Sequence, residues 1–193
     1  DNHIIVVKKA AGIPTQSSDD EASVEKEART WAKKQFEKKG EVFLYVAHRL
    51  DKPVSGLVLL AKTSKALERL QKAFRERSMK KTYVALLEGV LKEDEGLLEN
   101  YLAQQEFRTS ISSLENPHAK LSRLSYRVVE KMPFSSLVEI DLHTGRYHQI
   151  RAQFSHLGHP VVGDVKYGAR YVANRPSQIR SEERRVGKEC LRL

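Results

Sequence analysis

The chain has 193 residues, of which 40% are hydrophobic and 31% are charged. This length and balance fit one soluble globular domain with a buried core, and they exclude a membrane-spanning chain and a wholly disordered one. Lys and Arg number 34 against 25 acidic residues, a formal net charge of +9. Such an excess attracts polyanions, so nucleic acid is the leading partner, although solubilising lysines would produce the same composition. The single cysteine, Cys190, excludes a disulfide framework and fits a reducing cytoplasm.

The N-terminal part of the chain predicts a strand followed by a helix. Residues 4–7 form a β-branched run typical of a strand, and a glycine and a proline in residues 11–14 mark a turn. Residues 19–39 begin with acids and end with lysines, which suits a helix dipole, and Gly40 is the expected C-terminal cap. Three apolar residues are expected on its buried face: Val24, Ala28 and Trp31.

Two buried strands and a second helix are predicted next. Residues 43–47 and 57–61 are the strands, so Asp51 lies in the loop between them. Thr63 and Ser64 are cap residues for a helix that continues to about residue 78. Its apolar residues recur at helical spacing: Leu67, Leu70 and Phe74.

The second half of the chain starts with a strand over residues 82–90. Residues 91–121 are polar and show no regular pattern, so no structure is predicted for them. Residues 124–130 and 137–142 indicate two further strands, joined as a hairpin by a turn at 131–133.

A third helix is predicted over residues 147–157, with Gly158 as its stop. Its buried face is expected to contain Ile150, Phe154 and Leu157. Strands and helices alternate without βαβ regularity, which favours an α+β fold with a mixed, largely antiparallel sheet. We expect one domain over residues 1–175, whereas residues 176–193 lack periodicity and are expected to be disordered or to derive from cloning.

Two sequence motifs connect the chain to a known family. Residues 48–56 read HRLDKPVSG, which resembles the catalytic signature of the RluA family of pseudouridine synthases, where HRLD is followed by two residues and TSG. Val54 stands where that family usually has Thr. Residues 144–151 read TGRYHQIR and resemble the family's TGRxHQIR motif. Two motifs in the expected order are more specific than either one alone.

Two shorter segments extend the resemblance. Residues 81–83 read KTY, similar to the KxY element that supplies the family's active-site tyrosine. Residues 8–12 read KKAAG and resemble the family's NKPxG strand end, with Lys8 in place of Asn and Ala10 in place of Pro. Together the matches extend over roughly residues 3–170. The resemblance implies the pseudouridine synthase fold with a central RNA-binding cleft, and conversion of uridine to pseudouridine in ribosomal or transfer RNA.

The chemistry of this isomerisation needs few groups. The glycosidic bond is cleaved, and the base rotates and re-attaches through carbon, with no redox step, so we expect no metal and no cofactor. One ionised carboxylate acting as nucleophile or base at the sugar is sufficient, and Asp51 is flanked by His48, Arg49 and Lys52, which favour its charged form. For an Asp beside basic residues without this signature, a surface salt bridge would be the usual role.

The resemblance assigns roles to further residues. Arg151 would pair with the catalytic carboxylate of Asp51, with a phosphate contact or a structural ion pair as the alternatives. Tyr83 would stack on the extruded uracil, although a lone strand tyrosine is more often part of a core. Arg49 would fill the space that the flipped base leaves, unless it contacts a phosphate. The expected RNA-binding residues are Arg49, His48, Lys52, Arg146, His148, Lys80 and Lys81.

Three classes of function remain open at this stage. The first is a pseudouridine synthase, which we expect to be a cytoplasmic monomer. The second is an RNA-binding module that keeps the fold but has lost turnover. The third is a glycoside or nucleoside hydrolase, which usually needs two cooperating carboxylates. Four histidines lie within residues 143–159, but the reaction does not require a Lewis acid and no thiolate joins them. His148 and Gln149 are better interpreted as helix-start residues that shape the site, and Asp164 as a structural turn residue.

Overall fold

The computed structural model describes residues 2–18, 20–170 and 179–184, of which 181–184 are described as backbone only. The chain divides into two compact units, Asp1–Met79 and Lys80–Leu193. Among the described residues, no helix combines the length and apolar character needed to cross a bilayer. Most of the tail beyond residue 175, including Cys190, lies outside the described residues, but Ile179–Arg184 forms a strand.

The first unit contains three antiparallel strands: β1 (Ile4–Lys9), β2 (Tyr45–Val46) and β3 (Ser55–Ala61). All of β1 pairs with residues 56–61 of β3, and β2 pairs with the C-terminal end of β3. Val58 and Leu60 of β3 have no exposed surface, as expected for the central strand of the three. The chain between β2 and β3 is the loop that contains Asp51, which confirms its predicted position between two strands.

Two helices complete this unit, α1 (Val24–Gln35) and α2 (Ser64–Arg75). The α2 prediction is confirmed, because the Thr63 side chain accepts a hydrogen bond from the Ala66 N–H and caps the helix. The predicted bounds of α1 are wrong at both ends. Ser23 caps its first turn, and Glu37 takes a left-handed conformation (φ 49°) that lets the Lys38 N–H bond the Lys33 carbonyl. The helix therefore ends before Gly40.

The buried face of α1 also differs from the prediction. Val24, Ala28 and Ala32 are buried at i, i+4 spacing, whereas Trp31 is 52% exposed. Trp31 lies at the edge of the apolar stripe, where spacing alone does not decide which side of the helix is covered.

The second unit contains six strands in the order β9, β4, β8, β7, β5, β6, and each neighbouring pair is antiparallel. Their bounds are β4 (Lys80–Glu88), β5 (Glu95–Gln105), β6 (Arg108–Ser112), β7 (Lys120–Met132), β8 (Ser135–Leu142) and β9 (Ile179–Arg184). The β7–β8 hairpin confirms the two strands predicted over residues 124–130 and 137–142 and their connection by a turn. β5 and β6 form a second hairpin in the stretch that had no predicted structure. Helices combined with antiparallel strands confirm the α+β class.

The third helix, α3 (Gln149–His156), contains a run of six buried residues from Gln149 to Phe154. Burial on all sides is unusual for a helix with Gln and Arg, and each polar side chain must therefore find an internal partner. Gly158 (φ 87°) ends the helix as predicted, with the His159 N–H bonded to the Phe154 carbonyl. Leu157 was expected on the buried face but is 42% exposed, because it lies at the cap beyond the last turn.

Candidate active site

The backbone of the Asp51 loop is tied to the segment that follows β1. The Thr15 hydroxyl donates to the Leu50 carbonyl (2.8 Å) and accepts from the Leu50 N–H (3.1 Å). The Gly12 N–H donates to the Lys52 carbonyl (2.8 Å), from a left-handed backbone conformation that glycine adopts without strain. The residues on both sides of Asp51 are thus held, and the half-buried carboxylate stands on a fixed loop.

Lys9 is a buried lysine beside this loop. Only 1% of it is exposed, and its ammonium donates to the carbonyls of Ala10 and Lys52, both at 3.0 Å. Burial lowers the pKa of Lys9 to about 8, opposed by the carboxylate of Asp51, which raises it. Lys9 lies in the segment that resembles the family's NKPxG strand end, and no role was predicted for it. A lysine within a strand-end motif carries no signal that its ammonium is buried.

The lowered pKa of Lys9 has a consequence for stability. Between pH 8 and 10.5 the unfolded chain holds a proton on this lysine that the folded chain has lost, so folding becomes more favourable as the pH rises. Wild-type protein should gain about 2 kcal/mol in unfolding free energy relative to Lys9→Met between about pH 7.5 and 9.5. Urea unfolding at both pH values measures this difference. An equal pH dependence in the two proteins would contradict the assignment.

Three predicted RNA contacts lie on the same loop. The His48 Nε2 accepts a hydrogen bond from the Leu59 N–H (3.1 Å), and its ring lies 4.8 Å from that of Phe74. His48 therefore anchors the loop against β3 and α2. Arg49 is exposed, and the exposed Lys52 forms an ion pair with Glu21 (2.6 Å). Arg49 and Lys52 have the exposure that an RNA contact needs.

Tyr83 lies on β4, opposite Ile140 of β8, and is 9% exposed. The neighbouring basic residues are Lys80, whose ammonium pairs with Asp141 (2.8 Å), and Lys81, which is half-buried. A Cβ placed at Gly145 would lie 2.8 Å from the Lys81 Nζ, so this amine lies directly against the TGRYHQIR turn. The structure thus brings the KTY segment and the TGRYHQIR segment together within the second unit.

Arg151 forms a two-point ion pair with Asp164. Its Nε lies 2.6 Å from Oδ2 and its Nη2 lies 2.8 Å from Oδ1. Both side chains are buried, 7% and 2% exposed, and the guanidinium also lies 4.7 Å from the centre of the Tyr167 ring. Asp164 was expected to be structural, and its pairing with Arg151 was not predicted. The pair holds the planar guanidinium in one orientation.

His148 begins α3 and is buried, in a left-handed conformation (φ 51°). Its ring stacks on that of Tyr147 (3.8 Å), and its Nδ1 lies 2.8 Å from the Tyr167 hydroxyl, which accepts from the Thr109 N–H (2.9 Å). Its interpretation as a helix-start residue is confirmed. As an expected RNA contact, His148 differs from Arg49 because the residue is only 8% exposed and its ring makes internal contacts.

Burial, with Arg151 and Lys166 adding to it, lowers the pKa of His148 to about 3. The folded protein therefore keeps this ring neutral while the unfolded chain protonates it below pH 6.5, so stability is lost as the pH falls. Lowering the pH from about 7 to 5 should cost the wild type about 2 kcal/mol more than His148→Asn, which tolerates the left-handed conformation. Chemical unfolding at both pH values provides the test, and parallel losses in the two proteins would refute it.

The remaining residues of the TGRYHQIR turn brace its backbone. The Gln149 Oε1 accepts from the Thr144 hydroxyl (2.8 Å) and from the Arg146 N–H (3.1 Å). The exposed guanidinium of Arg146 donates to the Leu121 carbonyl (3.3 and 3.4 Å).

Within the part of the chain that the structure describes, no three His, Cys, Asp or Glu side chains are grouped to hold a metal ion.

The motifs and the fold agree with a comparison against protein families. A sequence model of RNA pseudouridylate synthases matches residues 3–156, which is most of the chain. The protein therefore belongs to the RNA pseudouridylate synthase family, which confirms the resemblance found in its motifs.

Curated relatives give the family a narrower context. The chain is 38% identical over 128 residues to ribosomal large subunit pseudouridine synthase C of Vibrio vulnificus, covering 66% of this chain and 40% of that protein. It is 39% identical over 124 residues to ribosomal large subunit pseudouridine synthase D of Nitrosomonas europaea, covering 64% and 35%. The chain thus matches about two fifths of the length of these relatives.

Solved structures agree on the fold. Human RNA pseudouridylate synthase domain containing 4 superposes with a TM-score of 0.80 at 22% identity, over 93% of this chain and 79% of that one. Human RNA pseudouridylate synthase domain containing 1 gives 0.76 at 24% identity, over 94% and 74%. The α+β fold is therefore that of pseudouridine synthases.

Proposed function

We propose that this chain is the catalytic domain of an RNA pseudouridine synthase that isomerises specific uridines in ribosomal or transfer RNA. The observation that carries the proposal is the half-buried Asp51, which lies within the HRLD signature on a loop held by Thr15, Gly12 and Lys9. Support comes also from the family match, which runs through both units, and from relatives named for ribosomal RNA. We further propose that residues 1–175 act as one catalytic domain.

The proposed reaction conserves the atoms of the base. The bond between uracil N1 and the ribose breaks, the base rotates, and a bond forms between C5 and the same ribose carbon. C5 loses its hydrogen as a proton and N1 gains one, so no oxidant, reductant or cofactor is consumed. Asp51 acts at the sugar, as nucleophile or base, and its ionised form is favoured by the basic residues around it.

Three other side chains complete the proposed site. Arg151 pairs with Asp51, and its orientation is supported by the two-point contact with Asp164. Tyr83 stacks on the extruded uracil, and Arg49 occupies the space vacated in the RNA. The buried positions of Arg151 and Tyr83 suit groups that act in a site from which water is excluded.

RNA is the proposed partner, and its phosphates would be contacted by basic residues near the site. Of the predicted contacts, His48 and His148 are better assigned to holding the Asp51 loop and the start of α3. The five remaining proposed RNA contacts are Arg49, Lys52, Arg146, Lys80 and Lys81.

We propose that the enzyme is a cytoplasmic monomer without a metal ion.

The experiment that tests this function is tritium release from RNA labelled at uridine C5, because formation of the new carbon–carbon bond must displace that hydrogen. Total RNA of the source organism serves as substrate. Release that depends on protein concentration, with pseudouridine in the digested product, would support the proposal. RNA binding without release would favour a binding module with the same fold, and free uracil would indicate a hydrolase.

A further inference from the structure

The first unit exposes an unusual number of aromatic side chains within a short stretch of chain. Trp31, Phe36, Phe43 and Tyr45 are between 40% and 52% exposed, and we call them the aromatic surface. Aromatic rings contribute large apolar area and are normally buried, so a group of exposed rings indicates a binding surface.

These rings are held in defined positions. Trp31 and Phe36 make an edge-to-face pair with centroids 5.9 Å apart, and Phe43 and Tyr45 make another at 4.7 Å. In such a pair one ring presents its edge to the face of the other, so the partner covers neither face of the ring that presents its edge. Rings fixed in this way lose little entropy when a flat ligand stacks on them.

Two cationic groups lie against rings of the aromatic surface, and further lysines are close to these rings in sequence. The Lys62 ammonium lies 4.6 Å from the centre of the Phe36 ring, and the Arg29 guanidinium lies 4.3 Å from that of Tyr45. Within the described residues, the exposed lysines at the end of α1 and just beyond it make no ion pair. These lysines are Lys33, Lys34, Lys38 and Lys39.

We propose that the aromatic surface binds a single-stranded segment of RNA, with bases stacked on the rings and phosphates contacting the lysines. Alternating aromatic and cationic groups are the general means by which proteins bind single strands, because every base has a stackable face and every nucleotide a phosphate. The surplus of positive charge favours RNA over an apolar protein partner. This inference rests on the proposed function, in which RNA is the substrate.

The aromatic surface is separate from the position of the reacting uridine. The Asp51 loop enters β3 at Ser55, whereas Tyr45 and Lys62 lie at the opposite end, beside Ala61. Six residue steps along a strand span about 20 Å. An RNA segment bound here is therefore a flanking part of the substrate, and it contributes affinity rather than chemistry.

Trp31 is the single tryptophan of the chain, so intrinsic fluorescence reports directly on this surface. Uridine-rich single-stranded RNA is titrated into Asp51→Asn protein, which prevents turnover during the measurement. Fluorescence quenching that saturates and weakens with added salt is expected. Phe36→Ala should weaken the affinity about tenfold, as should the double variant Lys33→Glu/Lys34→Glu, which alters only exposed side chains.

The control is Phe134→Ala, which removes a phenylalanine that is 88% exposed in the second unit and should leave the affinity unchanged. RNA that binds in a filter assay without changing Trp31 fluorescence would overturn the inference. So would a fluorescence change that follows protein concentration without RNA, because it would indicate self-association. If the Phe36 and lysine variants release tritium and bind RNA with normal affinity, the inference about this surface fails and the proposed function stands. If RNA quenches the Trp31 fluorescence saturably but the wild-type protein releases no tritium, only the proposed function fails.

Discussion

Asp51→Asn is expected to lower the rate of tritium release from C5-labelled RNA by at least about a thousandfold, as removal of a catalytic nucleophile or base does in other enzymes. Asn has nearly the same size as Asp, so the loop contacts made by Thr15 and Gly12 through backbone atoms should persist. An amide cannot act as a nucleophile or base at the sugar. The loss should therefore appear in turnover, with RNA binding retained.

The matched control is Asp94→Asn, which changes a carboxylate that is 84% exposed and pairs with Lys131 at the surface. Its rate of tritium release should stay within about twofold of wild type. Thermal unfolding of both variants checks that they are folded. If Asp51→Asn kept more than a tenth of the wild-type rate, Asp51 would not be the catalytic carboxylate.

Asp164→Ala is expected to destabilise the protein by about 3–5 kcal/mol, because it leaves the Arg151 guanidinium buried without the partner that holds it at two points. A loss of this size is a large fraction of the stability of an ordinary domain. Urea unfolding at neutral pH measures it. Because Arg151 has a catalytic role in the proposed function, turnover should also fall more than RNA affinity.

Glu99→Ala serves as the control for that experiment, since it breaks the Arg123–Glu99 ion pair, in which both side chains are more than 40% exposed. Exposed pairs contribute about 0–1 kcal/mol, because solvent screens the charges and both side chains lose entropy. If the two substitutions cost the same free energy, the Arg151–Asp164 pair would not stabilise the fold as its burial indicates.

Much of the fold followed from local patterns. The strand pair on either side of Asp51 and the capped helix after Thr63 depend on residues close together in sequence, and the structure agrees with both predictions. The errors lie where local signals compete. Glu37 takes a left-handed conformation and α1 ends before Gly40, and the helix buries Ala28 and Ala32 but leaves Trp31 exposed. Within the stretch that had no predicted structure, residues 95–112 form a hairpin whose apolar pattern is weak, because much of β5 is only partly buried or exposed.

The predicted site residues depended on motif resemblance, and their internal partners could not be predicted in the same way. Lys9 reaches Lys52 across 43 residues, Arg151 reaches Asp164 across 13, and Tyr167 joins Thr109 across 58. None of these separations has a periodicity that marks it in sequence. The choice of partner depends on which side chains the fold brings together in a buried, low-dielectric setting.

The amino-acid sequence by itself determined the family, the identity of Asp51 as the candidate catalytic carboxylate, and its place in a loop between two strands, because each is written in contiguous residues. Tertiary structure decided which charges are buried and with which partners. The tertiary fold pairs Asp164 with Arg151, lowers the pKa values of Lys9 and His148, and leaves Trp31 exposed. The physical reason is that desolvation and charge pairing depend on distances between segments remote in the chain, which no local pattern encodes.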